Sequence, residues 1–245
     1  MKVEILGIKL DNLGADESVE YLIGRIRRAE KTYVATPNPE MLVLAQQDPL
    51  FKSVLNAADL SVPDGFGLIL IAKALKLPLK EKVAGTDLVE ALIRHHGSEL
   101  KIYLLGAGEG IGTRAAEHLK ALNQDLKIVG ILSGGKLNID GEFDNEEVIL
   151  ESIRASDANL LLVALGQVKQ EKWIYRHLLS LPGVMSIGIG GALDFYAGRV
   201  NRAPRILQRL GLEWLWRLLL EPKRFWRIIN AVIVFPYLVL KYERK

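Results

Sequence analysis

Apolar residues along the chain follow two rhythms. Short unbroken runs, "TYVA", "KIYLLG", "LKIVGIL", "NLLLVALG" and "VMSIGIGG", are the right length for strands buried on both faces. Between them, apolar positions recur every three to four residues, as in "DESVEYLIGRIRRAE" and "TDLVEALIRHHG", which is the spacing of one buried helix face. The order reads as a strand or hairpin over 3–11, a helix over 16–30 and a strand over 33–35. A helix over 39–57 follows, with Pro49 a natural break. "LSVPDG" gives a short strand and turn. Helices over 66–76, 86–97, 111–122, 145–155 and 169–180 then alternate with the remaining strands. This alternation predicts an α/β fold: a Rossmann-like, mostly parallel sheet with helices on both faces.

The rhythm changes near residue 199. The segment 199–245 carries eleven Lys/Arg against three Glu, about +8, whereas the preceding 198 residues hold 21 basic and 26 acidic side chains, about −5. A helix over 205–220 places Arg209, Glu213 and Arg217 at four-residue steps on a narrow polar stripe. Pro222 starts a second helix in which Arg224 and Arg227 share a face. Three of the four tryptophans, Trp214, Trp216 and Trp226, lie here. A wide apolar face edged by Trp and Arg suits a membrane surface better than nucleic acid. The apolar stretch 228–240 is about 13 residues, short of the ~20 that cross a bilayer. The division expected is a core over 1–198 and a C-terminal amphipathic helical appendage over 199–245 that completes the site.

With 49% hydrophobic residues the chain can bury a large core, and with no cysteine it has neither disulfides nor thiolate metal ligands. His95, His96, His118 and His177 lack metal-ligand spacing, and the N-terminus lacks an export pattern. A cytoplasmic protein is expected.

In parallel sheets ligands bind beyond the carboxyl ends of the strands, so the residues just after each strand carry the candidate chemistry. They are Thr36 and Asn38; Pro63-Asp64-Gly65; "GAGEGIG" with Gly106 and Gly108; Ser133-Gly134-Gly135; "GQVKQE" with Gln170; and "GGALDF" with Asp194. Asn38 before Pro39 is a good N-cap and helix start. Asp64 is a turn former by residue type, and sharing an edge with Thr36 and Asn38 makes it a candidate general base. The G-x-G-x-x-x-G spacing departs from the dinucleotide fingerprint, and no acid ends the following strand. A tight turn, with a helix N-terminus able to meet phosphate, is preferred there over a nicotinamide site. No Asp-x-Asp pair occurs, so a nucleotide-sugar enzyme of this sequence would use cationic side chains on the diphosphate.

The segments "TPNPEML", "VPDGFG", "LLVALGQVKQEKWI", "GGALDFYAGRVNRAPR" and "GLEWLWRLLLEPKRFWR" resemble the WecG/TagA/CpsF family of bacterial glycosyltransferases. The resemblance implies an inverting, metal-independent enzyme without a cofactor, peripheral on the inner face of the cell membrane, using a UDP-sugar as substrate. One branch transfers N-acetylmannosamine to GlcNAc-diphospho-undecaprenol; others transfer N-acetylmannosaminuronic acid or glucose. The resemblance also implies Asp64 as base, with Thr36 and Asn38 positioning the sugar or acceptor; Gln170, a candidate sugar or diphosphate contact, falls at the Gln of the family's G-x-P-K-Q-E motif. It places Asp194 near the uridine, Lys82 on a phosphate, and Arg217, Arg224 and Arg227 on the leaving diphosphate. Two positions depart from the family pattern. Val168 stands where Pro is usual, and Lys82 where Arg is usual, so the bidentate fork is lost. A homo-oligomer is a possible partner state.

Overall fold

A computed structural model of the chain describes residues 2–133, 142–204, 206–207 and 211–243. The chain opens with a hairpin, β1 (Lys2–Ile5) and β2 (Ile8–Asp11), paired antiparallel. Its two-residue turn, Leu6 and Gly7, has positive φ at both positions, as the right-handed twist of a tight hairpin asks. Six further strands form one all-parallel sheet: β3 (Thr32–Ala35), β4 (Leu60–Ser61), β5 (Lys101–Gly106), β6 (Lys127–Leu132), β7 (Leu160–Ala164) and β8 (Met185–Gly188). Their order across the sheet is β4-β3-β8-β7-β5-β6.

Period-two alternation splits each strand between two cores. Tyr33, Tyr103, Leu105, Leu161 and Val163 face one side, against the hairpin, α2 (Pro39–Ala45), α3 (Pro49–Asn56), α7 (Glu146–Ala155) and α8 (Lys169–His177). Val34, Ile102, Leu104, Leu160 and Leu162 face the other, against α1 (Ala15–Arg27), α5 (Gly85–His96), α6 (Ile111–Leu122) and α9 (Ala192–Tyr196). The sequence predicts one helix broken at Pro49. The break occurs because Asp48 caps a fresh helix, its carboxylate accepting the Phe51 N–H at 2.9 Å.

The appendage differs from expectation in two ways. The helix read over 205–220 is interrupted: Ile206 and Leu207 are helical, Gly211 adopts φ +72, and a helix over Glu213–Leu220 follows; Arg209 lies outside the described residues. The second helix is longer than its apolar stretch. It runs without a break over Pro222–Tyr242, 21 residues, and by length and composition it is long and apolar enough to cross a membrane. Only 11% of its most apolar window is buried. Its last turns nevertheless belong to the core, with Phe235 and Val239 buried in the same cluster as Leu42 of α2.

Candidate active site

Strand order decides which loops meet. β4, β3, β8 and β7 are consecutive in the sheet although about 150 residues separate β3 from β8 in sequence. Their carboxyl ends line one cavity of about 720 Å³, closed on its far side by the Glu213–Leu220 helix and the tail helix.

Two of the loops are tied together. The Asp64 N–H donates to the Pro37 carbonyl at 2.8 Å. Gly65 has φ +125, and a Cβ there would lie 2.9 Å from the Pro39 ring. Only glycine takes that backbone at that contact. The two prolines therefore fix the 36–39 loop against the turn that carries Asp64. Asn38 caps α2, its Oδ1 accepting from Met41 N–H at 3.0 Å, and also lines the cavity. Thr36 packs on Gly85, where a Cβ would sit 3.2 Å from the Thr36 hydroxyl.

Burial pushes the Asp64 carboxyl up to about 6. Lys82 opposes this, as does the Gly85 N–H at the start of α5, while Glu213 and Asp87 add to it. The carboxylate keeps access to the cavity, so it is surrounded by protein yet reachable by a ligand. Such a group is a base that ionises near neutral pH.

Across the cavity, Gln170 is buried and both ends of its amide are engaged. Its Oε1 accepts the Gly190 N–H at 2.8 Å and its Nε2 donates to Glu171 at 2.7 Å. Glu171 in turn accepts the Val168 N–H at 2.6 Å. Val168 occupies φ +73, a strained conformation for a β-branched residue, and Glu171 pins it. Burial, the largest influence, raises the Glu171 carboxyl to about 7. These bonds join the ends of β7 and β8, so Gln170 and Glu171 shape the cavity wall. Glu171→Ala leaves the Val168 N–H and the Gln170 Nε2 without partners. Thermal unfolding is expected to show a loss of about 1–3 kcal/mol.

The three tail arginines reach the same cavity. Arg227 bonds Glu40 at 3.0 Å and Gln167 at 2.9 Å. Arg224 bonds Glu221 at 2.6 Å. Arg217 stacks over the Phe195 ring, 4.5 Å from its centroid, and its Nε is buried without a hydrogen-bond partner. Burial first, and then Arg224, draw the Arg217 guanidinium down to about 10. It remains charged at pH 7, and among the described residues no carboxylate is hydrogen-bonded to it. A buried guanidinium in that state is a site for an anion.

Gly191 leaves the room for one. A Cβ there would stand 3.5 Å from Arg217 Nη2, 3.9 Å from Arg224 Nη2 and 3.8 Å from Asp194 Oδ2. Its φ of −81 suits any residue. Gly191→Ala is therefore expected to fold as the parent does, with an unchanged melting temperature, yet to weaken binding of a nucleoside diphosphate. Calorimetric titration with UDP separates the two effects.

Thr36, Asn38, Asp64, Gln170, Asp194, Arg217, Arg224 and Arg227 thus converge on one cavity. Asp194 also pairs with Arg199 at 3.6 Å. Lys82 is outside the lining but acts on Asp64 through charge. Gly106 and Gly108 fall elsewhere, in a separate cleft of about 180 Å³ shared with Gly110 and Gly112. The strand that feeds this loop, β5, lies beyond β7, one place outside the strands whose ends line the larger cavity. Gly134 and Gly135 lie outside the described residues. Glu40 and Gly191 were not anticipated. Pro39 at the first helical turn hides Glu40 as an ordinary N-terminal acid, and a glycine's contribution here is empty space. Among the described residues no group of three or more His, Cys, Asp or Glu is placed to hold a metal ion.

The cavity brings a buried carboxylate and three arginines together. A Bacillus spizizenii protein named N-acetylglucosaminyldiphosphoundecaprenol N-acetyl-beta-D-mannosaminyltransferase is 32% identical, across 86% of this chain and 80% of its own length. A Staphylococcus aureus protein of the same name is 28% identical across 100% of this chain and 94% of its own. Residues 3–245 match one family throughout, and the chain belongs to it: the WecG/TagA/CpsF family of glycosyl transferases.

Proposed function

We propose that the chain transfers N-acetylmannosamine from UDP-ManNAc to the 4-hydroxyl of GlcNAc-diphospho-undecaprenol, with inversion. The names of the relatives support the acceptor and the sugar. The observation that carries the chemistry is the cavity shared by Asp64 and the Arg217 guanidinium, whose Nε has no hydrogen-bond partner. Asp64 takes the proton of the acceptor 4-hydroxyl as its oxygen bonds to C1 of the donor sugar. The C1–oxygen bond to UDP breaks and its electron pair leaves with the β-phosphate. Arg217, Arg224 and Arg227 hold the charge that develops there, a role a divalent metal fills in many such enzymes. Thr36 and Asn38 orient the sugars, and Lys82 keeps part of Asp64 ionised. UDP-sugar and lipid-linked acceptor are the partners, with no cofactor.

The reaction would run at the inner face of the membrane, where a polyprenyl acceptor resides. Trp226, Leu219 and Ile233 are well exposed beside the arginines, and an apolar surface of this kind binds a bilayer. The donor is tested by offering UDP-ManNAc, UDP-ManNAcA and UDP-glucose with a GlcNAc-diphospho-lipid and determining the product linkage. A β-linked ManNAc disaccharide supports the reading. Exclusive transfer of another sugar would reassign the donor within the family.

A further inference from the structure

The cavity has two chemically distinct ends. Asp64 and the arginines form the polar floor. A further stretch of the wall is apolar and comes from two helices that share the cavity: Phe66, Leu70 and Ile71 from α4 (Phe66–Ala74), and Ile228, Val232 and Pro236 from the tail helix. Phe66 and Leu70, with Ile71 beside them, and Ile228, Val232 and Pro236 stand at four-residue steps, so each helix presents a strip. Neither strip is covered: Leu70 is 53% exposed and Val232 42%.

The tail helix is also distorted at this strip. Asn230–Val234 form a π turn, next to Pro236. A proline inside a helix lacks the N–H for the residue four back, here Val232, and its ring crowds that carbonyl. The π turn absorbs the misfit, and π turns within α-helices collect at functional sites. The sequence thus accepts a helix defect to keep Val232 and Pro236 on the cavity wall. Gly211 acts on the opposite wall. With φ +72 it passes close over the Phe66 ring, where a Cβ would be 2.6 Å away.

We propose that this two-helix apolar wall is a subsite for the first isoprene units of the acceptor, directly continuous with the diphosphate site. It rests on the acceptor class proposed above. The enzyme then reads the lipid as well as the sugar. A saturated or very short chain would be a poorer acceptor even when its sugar and diphosphate are correct.

The test is calorimetric binding to the full chain in detergent-free buffer, with farnesyl diphosphate and methyl diphosphate as probes. It needs no turnover, so it stands apart from the identity of the transferred sugar; failure of that reading would show as absent transfer in the donor panel. Farnesyl diphosphate should bind at least about tenfold more tightly than methyl diphosphate, given the apolar area it buries. Leu70→Asn should remove most of that advantage and leave methyl diphosphate binding unchanged. Val232→Asn, on the other helix, should do the same and guards against a folding defect in either variant. Equal affinity of the two probes, or an advantage that survives both substitutions, overturns the proposal. A decylphosphocholine monomer that binds with the same Leu70 and Val232 dependence also overturns it, and assigns the wall to a membrane lipid.

Discussion

Asp64→Asn is expected to lower kcat by about 10²–10⁴-fold, the range for loss of a positioned general base. Asn preserves the shape of the side chain and its neutral hydrogen bonding, so the melting temperature and donor binding should change little. The same account fixes a pH dependence. Asp64 acts only when ionised, and burial sets its ionisation near 6. Wild-type kcat/KM should therefore fall about tenfold for each pH unit below 6 and flatten above it. Lys82→Met, removing the cation that favours the ionised form, should move that limb to higher pH. A limb that stays in place would mean that another group titrates.

The second large effect is expected at Arg217. Its guanidinium is buried, stacked on Phe195, and free at Nε. Arg217→Ala should reduce kcat by about 10²–10³-fold, as loss of one preorganised donor to a developing anion does. Arg217→Lys should recover only part of this, because an ammonium keeps the charge but not the planar fork. The loss should appear mainly in kcat, since the charge on the β-phosphate grows toward the transition state. A variant with wild-type kcat and a raised donor KM would place Arg217 in ground-state binding instead.

These residues were readable from sequence to different degrees. Asp64, Thr36 and Asn38 were found because they directly follow short apolar runs, and the carboxyl edge of a parallel sheet is a known place to look. The arginines stood out because they break an apolar tail. Sheet order was not readable, since nothing local in "TYVA" and "VMSIGIGG" announces that β3 and β8 are neighbours. That order explains the misplaced glycines: the Gly106 loop sits at a strand end, but one strand beyond the cavity. Gln170 was read as a substrate contact, yet both ends of its amide bind protein. Such internal pairing depends on the positive-φ turn at Val168, which no propensity rule places on a β-branched residue. The start of the tail helix at Pro222 was legible, but its apolar reach was counted over 228–240 alone. Arg224 and Arg227 interrupt its apolar run in sequence, while in space they point into the cavity and leave the helix intact.

The central claim is that Asp64 is the base of a sugar transfer in which arginines hold the departing diphosphate. The most direct measurement is UDP release from UDP-ManNAc with a GlcNAc-diphospho-lipid acceptor, for wild type and Asp64→Asn, with EDTA present throughout. The account predicts sustained wild-type turnover in EDTA and near-complete loss in the variant. Equal turnover by the two proteins, or wild-type activity abolished by EDTA and restored by a divalent cation, would contradict it.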